Sequence, residues 1–202
     1  MKRKFRFLAV ALPLLLTACV PAVRMQGDAG LLDAQRAREQ QLAGASHWVL
    51  QGRLSISDGK GGGGSGSLVW TQDGDHYIFE MRGPAISGAN FRLSGGPDGA
   101  LLEGLREGPL RGHDAETLMR KAVGWEVPLR DLRAWVMGLR ADSGAAELRF
   151  GADRLPSLLQ QDGWTVDYRE WNATRQPPLP NKVFAEKPPY KVRLSIESWQ
   201  FR

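Results

Sequence analysis

The sequence predicts a mainly β domain, an antiparallel meander that curls into a barrel or sandwich, with helices before it and within it. Three observations carry this. Several runs alternate apolar and polar residues strictly at a period of two. Glycine-rich turns separate these runs at close spacing. Two stretches in mid-chain break the alternation and place apolar residues three and four apart instead.

The first eighteen residues read as a targeting segment rather than as part of the fold. Lys2, Arg3, Lys4 and Arg6 precede an apolar stretch from Phe7 to Leu16, which ends in Leu16-Thr17-Ala18-Cys19. That stretch is too short to span a bilayer, which takes ~20 apolar residues, and has the layout of a secretory signal. Cys19 is the only cysteine in the sequence and is the expected lipidation site, with S-diacylglycerol and N-acyl groups as its covalent additions and no other cofactor. Loss of residues 1–18 removes four of the 27 basic side chains and takes the formal charge from +5 to +1. The balance therefore gives no reason to expect a nucleic-acid partner. Residues 19–27 read as lipidated cysteine and tether, and residues 28–202 as one domain, expected to be monomeric.

Asp28 to Ala43 is rich in good helix formers, with Leu31, Ala34, Arg38 and Leu42 on one broad side and Gly44 as its stop. From Trp48 to Ser57, positions 48, 50, 54 and 56 are apolar and 51, 53, 55 and 57 polar, a half-buried strand. The run from Asp58 to Ser67 reads as a flexible hairpin connection into Leu68-Val69-Trp70. Strands follow at Tyr77–Met81, around Phe91 and Leu93, and at Leu101–Leu105. Asp114 is a suitable N-cap for a helix over 115–123 that Gly124 ends. Pro128 fits the first turn of a second helix carrying Leu129, Leu132, Trp135, Val136 and Leu139. Strands resume at Leu148–Phe150, Leu155–Gln161, Trp164–Trp171, Asn181–Glu186 and Tyr190–Phe201. In the last, Trp199 and Phe201 fall on the opposite parity to Val192, Leu194 and Ile196, which predicts a bulge or a strand covered on both faces.

Catalytic motifs are scarce. His47, His76 and His113 are scattered with no metal-ligand spacing, there is no Gly-x-Ser-x-Gly, and the glycines at 61–64 lack the ending of a phosphate loop. An enzyme is not the expected reading. The informative feature is apolar. Trp48, Leu50, Leu54, Trp70, Phe79, Phe91 and Trp164 on strands, with Leu132, Trp135 and Val136 on the second inserted helix, are the candidate lining of an interior beneath the helices. Periodicity alone does not separate a filled core from a hollow that takes a ligand. Ile86, in the turn Gly83-Pro84-Ala85-Ile86-Ser87, either folds back onto the core or is presented to a lipid or a partner. A lipid-anchor chaperone, an assembly scaffold and a periplasmic hydrolase are the three function classes in play.

Seven pieces of sequence, in order, resemble the outer-membrane lipoprotein receptor family LolB. Gly52-Arg53-Leu54-Ser55-Ile56, Trp70-x-Gln72 and the Gly83-Pro84 loop come first. Gly124-Trp125-Glu126-Val127-Pro128-Leu129 continuing to Trp135-Val136-Met137-Gly138 is the strongest piece. Gly163-Trp164-x-Val166-x-Tyr168-x-x-Trp171, Leu179-Pro180 and Val192-Arg193-Leu194-x-Ile196-x-x-Trp199 complete it. The resemblance implies an unclosed antiparallel β-barrel with helices covering a hydrophobic cavity. It implies a receptor anchored in the outer membrane and facing the periplasm. Such a receptor accepts acylated lipoproteins from a LolA-like periplasmic carrier and places them in outer-membrane phospholipid without covalent chemistry. Val20 after Cys19 resembles the family's outer-membrane sorting pattern. The family's membrane-insertion residue falls at Ala85 or Ile86, and Ile86 is the more hydrophobic choice.

Overall fold

The computed structural model describes residues 24–84 and 90–202. Cys19, Ala85 and Ile86 lie outside the described residues. One twelve-stranded antiparallel sheet forms the body. Its strands are β1 (Met25–Gln26), β2 (His47–Ser57), β3 (Gly63–Asp73), β4 (His76–Arg82), β5 (Phe91–Gly96), β6 (Gly99–Glu103), β7 (Leu110–Gly112), β8 (Ala146–Phe150), β9 (Pro156–Gln161), β10 (Trp164–Asn172), β11 (Leu179–Lys187) and β12 (Tyr190–Phe201). Their spatial order is β1-β8-β9-β10-β11-β12-β2-β3-β4-β5-β6-β7, so the sheet ends at β1 and β7 and does not close. Chain order is kept except where β1 pairs with β8 and where β12 returns to pair with β2. That pairing joins a five-stranded C-terminal meander, β8 to β12, to a six-stranded one, β2 to β7.

Alternation fixes which residues face the interior. Across β2 and β3, Leu50 stands opposite Trp70, Gly52 opposite Leu68 and Leu54 opposite Gly66. Trp70 then stands opposite Phe79, Leu68 opposite Met81, Met81 opposite Phe91 and Phe79 opposite Leu93. The change of parity in β12 is a bulge: Ile196 pairs with Gly52 and Ser198 with Gln51, which leaves Glu197 as the extra residue. The bulge returns Trp199 and Phe201 to the inner face beside Leu50 and Trp48.

The glycine-rich run behaves differently from a flexible connection. Only residues 58–62 turn, and Gly63–Ser67 is strand. The turn is closed by the Asp58 carboxylate, which accepts from the backbone N–H of Lys60 and Gly62 at 2.8 Å each. Glycine lets neighbouring backbones come close here. A Cβ on Gly66 would lie 2.4 Å from the carbonyl oxygen of Arg82 on β4. Met25 and Gln26, read from the sequence as tether, pair with Phe150 and Arg149 at the sheet edge.

Three helices complete the domain. In α1 (Ala29–Leu42) the Asp28 side chain accepts from Leu31 N–H, and the buried stripe is Leu31, Gln35, Arg38 and Leu42. Gln35 thus takes the inner position expected of Ala34, which is exposed. The helix ends at Ala43 in the right-handed region, not at Gly44. In α2 (Ala115–Val123) Asp114 caps the N-terminus through Thr117 N–H, and Gly124 closes it at φ 71°. This helix lies against β5, β6 and β7. After α3 (Leu129–Trp135) the chain turns through Gly138, also at φ 71°.

Gly52 tests the β2–β12 contact. A Cβ there would lie 2.2 Å from the Ser195 carbonyl oxygen. Gly52→Ala is expected to lower stability by ~2 kcal/mol or more by forcing the strands apart. Urea denaturation reads this as a lower midpoint with unchanged slope, and an unchanged midpoint would show that the spacing relaxes freely.

Candidate functional site

The ten residues named from the sequence as candidate lining are all buried in one apolar cluster. Trp48, Leu50 and Leu54 come from β2, Trp70 from β3, Phe79 from β4, Phe91 from β5 and Trp164 from β10. Leu132 and Trp135 on α3, with Val136 just after it, belong to the same cluster, and the Trp135 ring lies 6.0 Å from that of Trp164. None of the ten is more than 4% exposed. The rings form a continuous run across five strands. Phe201 meets Trp199 at 5.6 Å between centroids, and Trp199 meets Trp48 at 5.2 Å. Trp48 meets Trp70 at 5.2 Å, Trp70 meets Phe79 at 5.5 Å and Phe79 meets Phe91 at 6.3 Å. The run ends on Trp125 in the α2–α3 connection, 5.7 Å from Phe91. Such contacts add ~0.5–1.5 kcal/mol per pair beyond burial.

Two grooves lined by described residues, of about 570 and 380 Å³, lie elsewhere. The larger runs past Thr71, Ile78, Ser94 and Leu101, which alternation places on the outer face. The smaller lies beside Arg82 and Asn90 at the base of the β4–β5 loop. That base is fastened by Gly83 N–H donating to Asn90 Oδ1 at 3.1 Å.

Two buried glutamines hold the interior's polar atoms. Trp135 Nε1–H donates to Gln161 Oε1 at 3.1 Å, as does Ala141 N–H at 3.0 Å. The Gln161 amide nitrogen donates to the carbonyls of Ala141 (2.7 Å) and Gly144 (3.2 Å). Gln161, which faces inward beside Trp164 on β10, therefore fixes both α3 and the loop after it. Gln72 does the same for Trp70, accepting from its indole N–H at 3.2 Å and donating to Gly74 and His76 carbonyls. Against these, Trp48 Nε1, Tyr168 OH and Trp199 Nε1 are buried without a hydrogen-bond partner among the described residues. Burial pushes the Tyr168 phenol pKa up, against the opposing charge of Arg38.

The attachment of α1 is polar. Arg38 is 6% exposed. Its Nη1 donates to the Gly138 carbonyl at 2.9 Å, its Nη2 to the carbonyls of Met137 and of Pro178 (2.8 Å), and its Nε to Pro178 at 3.1 Å. The guanidinium stacks 4.8 Å from the Trp171 ring centre. Desolvation lowers its pKa to about 10, with Tyr168 and Glu39 opposing the shift, so it stays charged near neutral pH. Gln35 Nε2 also donates to Gly138 O, at 3.0 Å. Glu39 makes a two-pronged bridge with Arg140, at 2.9 and 2.6 Å. Burial alone would raise the Glu39 pKa, but hydrogen bonds from Arg140 and Gln35 outweigh it and leave the carboxyl lowered.

Among the described residues, no three His, Cys, Asp or Glu side chains come together as a metal group, and no helix is long and apolar enough to cross a membrane. His47 lies at the surface with Nδ1 2.5 Å from Asp73 Oδ1. Trp125, Gln161 and Gln72 are site residues that period-two patterning does not single out. Trp125 sits outside any strand, and a buried glutamine looks like a surface one in sequence. Arg38 was legible only as a charged member of an otherwise inward stripe.

Gln161→Leu keeps the volume but strips partners from Trp135 Nε1 and from backbone groups of Ala141 and Gly144. It is expected to cost ~2–4 kcal/mol, measured by denaturation, with α3 amides losing exchange protection first. The Glu39 carboxyl, depressed in the fold, stabilises above its unfolded pKa and loses that contribution as pH falls through the folded value. Wild type and Glu39→Gln should therefore differ most in stability near neutral pH and converge below the ordinary carboxylate range.

Comparison with known proteins agrees with this architecture. The family model described as "Outer membrane lipoprotein LolB" matches residues 46–199. The Outer-membrane lipoprotein LolB of Xanthomonas axonopodis pv. citri is 37% identical over 198 residues, covering 91% of this chain and 90% of that protein. Its counterpart in Xanthomonas campestris pv. campestris (strain B100) is 39% identical over 184 residues, covering 89% and 84%. That of Pseudomonas savastanoi pv. phaseolicola is 33% identical, covering 93% and 92%. Among solved structures, a DUF1329 family protein from Desulfovibrio piger shares the fold, with TM-score 0.54, 10% identity and coverage of 86% and 92%. Since the family model spans most of the domain and identity exceeds a third over nine-tenths of the length, the chain belongs to the LolB family of outer-membrane lipoproteins.

Proposed function

We propose that the protein takes acylated lipoproteins from a LolA-like periplasmic carrier onto the concave apolar face and passes them into outer-membrane phospholipid. The carrying observation is the packing of Trp48, Leu50, Leu54, Trp70, Phe79, Phe91, Leu132, Trp135, Val136 and Trp164 into one buried apolar cluster shared by sheet and helices. Together with family membership, that cluster supports a site for acyl chains.

The physics suits the task. Keeping acyl chains in water costs ~0.8 kcal/mol per CH₂, so a sheltering surface removes most of the barrier to crossing an aqueous space. The reading assigns no covalent step to any residue. Direction comes from differential affinity, with each successive site binding more favourably than the last. In this reading Cys19 carries the acyl groups that anchor the chain after residues 1–18 are removed. Ala85 and Ile86 form the membrane-insertion loop, with Ile86 as its hydrophobic tip, and residues 28–202 work as one monomeric domain.

Photo-crosslinking tests the site. A photoreactive phenylalanine analogue at Phe91 should capture a tritium-palmitoylated lipoprotein, and the same group at the outward-facing Ser94 should not; equal capture at both would sink the assignment. Ile86→Glu should leave the thermal midpoint unchanged while abolishing delivery of client into phospholipid vesicles. Cys19→Ala should shift the protein from the membrane to the soluble fraction of fractionated cells; retention after a salt wash would contradict a single lipid anchor.

A further inference from the structure

The burial of these ten side chains raises the question of what must move for an acyl chain to reach them, and the contacts of α1 bear on it. The turn after α3 is gripped from two sides. On one side Arg38 and Gln35 bind the Met137 and Gly138 carbonyls. On the other lies the Trp171 ring, so close that a Cβ on Gly138 would stand 2.3 Å from its Cη2. Arg38 also reaches the Pro178 carbonyl on the β10–β11 connection. One guanidinium thus ties three parts of the chain: the first helix, the end of α3 and the connection beyond Trp171.

Among the described residues, the acceptors of this guanidinium are all backbone carbonyls, and no carboxylate is hydrogen-bonded to it. That choice bears on reversibility. A buried arginine paired with a buried carboxylate would leave an uncompensated charge when pulled apart. Carbonyls and a guanidinium that separate into water are both satisfied there at once. The buried stripe of α1 contains two polar residues beside Leu31 and Leu42. Its grip on α3 runs through Gln35, Arg38 and the Glu39–Arg140 bridge.

We propose that Arg38 is a positioning residue for acyl-chain uptake: it latches α1 to the Met137–Gly138 turn and Pro178, holding α3 down on the concave face until a client's chains displace it. The uptake half of this rests on the acyl-binding reading; the latch itself does not. Arg38 touches no client and acts through α3.

Hydrogen exchange and transfer, measured on the full lipidated protein in phosphatidylethanolamine–phosphatidylglycerol vesicles, separate the two halves. In R38A, amides of residues 129–141 should exchange at least tenfold faster than in wild type, while α2 (115–123) and β2–β3 stay within twofold. R38K keeps the charge but cannot bridge three carbonyls, and should restore part of the protection. Unchanged exchange over 129–141, or equal acceleration throughout the sheet, would overturn the latch. With a fluorescent tripalmitoylated lipopeptide as probe, R38A should take up probe severalfold faster than wild type and release it faster. Equal rates alongside the exchange change would overturn the gating role. Exchange is read with no probe present. A wild type that takes up no lipopeptide at all would therefore count against the acyl-binding reading, separately from the latch.

Discussion

Register between β12, β2, β3, β4 and β5 is the constraint on which the rest of this structure depends. Side chains alternate along a strand, so a slip of one residue would turn a whole row of rings to the opposite face. The ladder holds Trp48, Leu50 and Leu54 over Trp70, Phe79 and Phe91 in unbroken pairing. The extra residue at Glu197 brings Trp199 and Phe201 into the same row. Given that apolar face, α2 and α3 have somewhere to bury Leu118, Met119, Leu132 and Trp135. Without it they would be short amphipathic segments with little reason to form.

Two kinds of attachment coexist on that face, and they respond differently to exposure. Apolar burial is lost in proportion to area, at ~25 cal/mol per Å². The polar ties of α1 are exchanged for bonds to water at modest net cost. Trp135 belongs to both kinds: its ring is fully buried near Trp164 at 6.0 Å, while its N–H is fixed by Gln161. Trp48 Nε1, Tyr168 OH and Trp199 Nε1 are buried without a hydrogen-bond partner among the described residues.

Much of this was legible in the sequence wherever a local rule had no competitor. The alternation from Trp48 to Ile56 gives the strand and its inner face. Asp28 and Asp114 mark helix starts through their side-chain caps, and the parity change before Trp199 marks a bulge. The family resemblance gives the unclosed barrel. Other features depend on partners distant in sequence. Gly63–Ser67 has the composition of a loop and becomes strand because β2 and β4 lie on either side of it. Met25–Gln26 and Leu110–Gly112 are too short to show a period and exist as strands through β8 and β6. On α1, Gln35 outranks Ala34 because the Gly138 carbonyl lies within reach of its amide. Whether the ten lining residues leave a space or fill it depends on side-chain volumes in three dimensions, which alternation does not encode.

The sheet's two ends bear a further consequence. β1 has two residues and β7 three, and neither is joined to the other. Their brevity offers few free N–H and C=O groups to another chain, which limits edge-to-edge aggregation. A sealed cylinder has a circumference fixed by its strand number and shear. A ribbon curled upon itself but left unjoined can change its girth by flexing between strands, with every ladder bond retained. Cargoes of different bulk then need no different scaffold, only a different degree of curl.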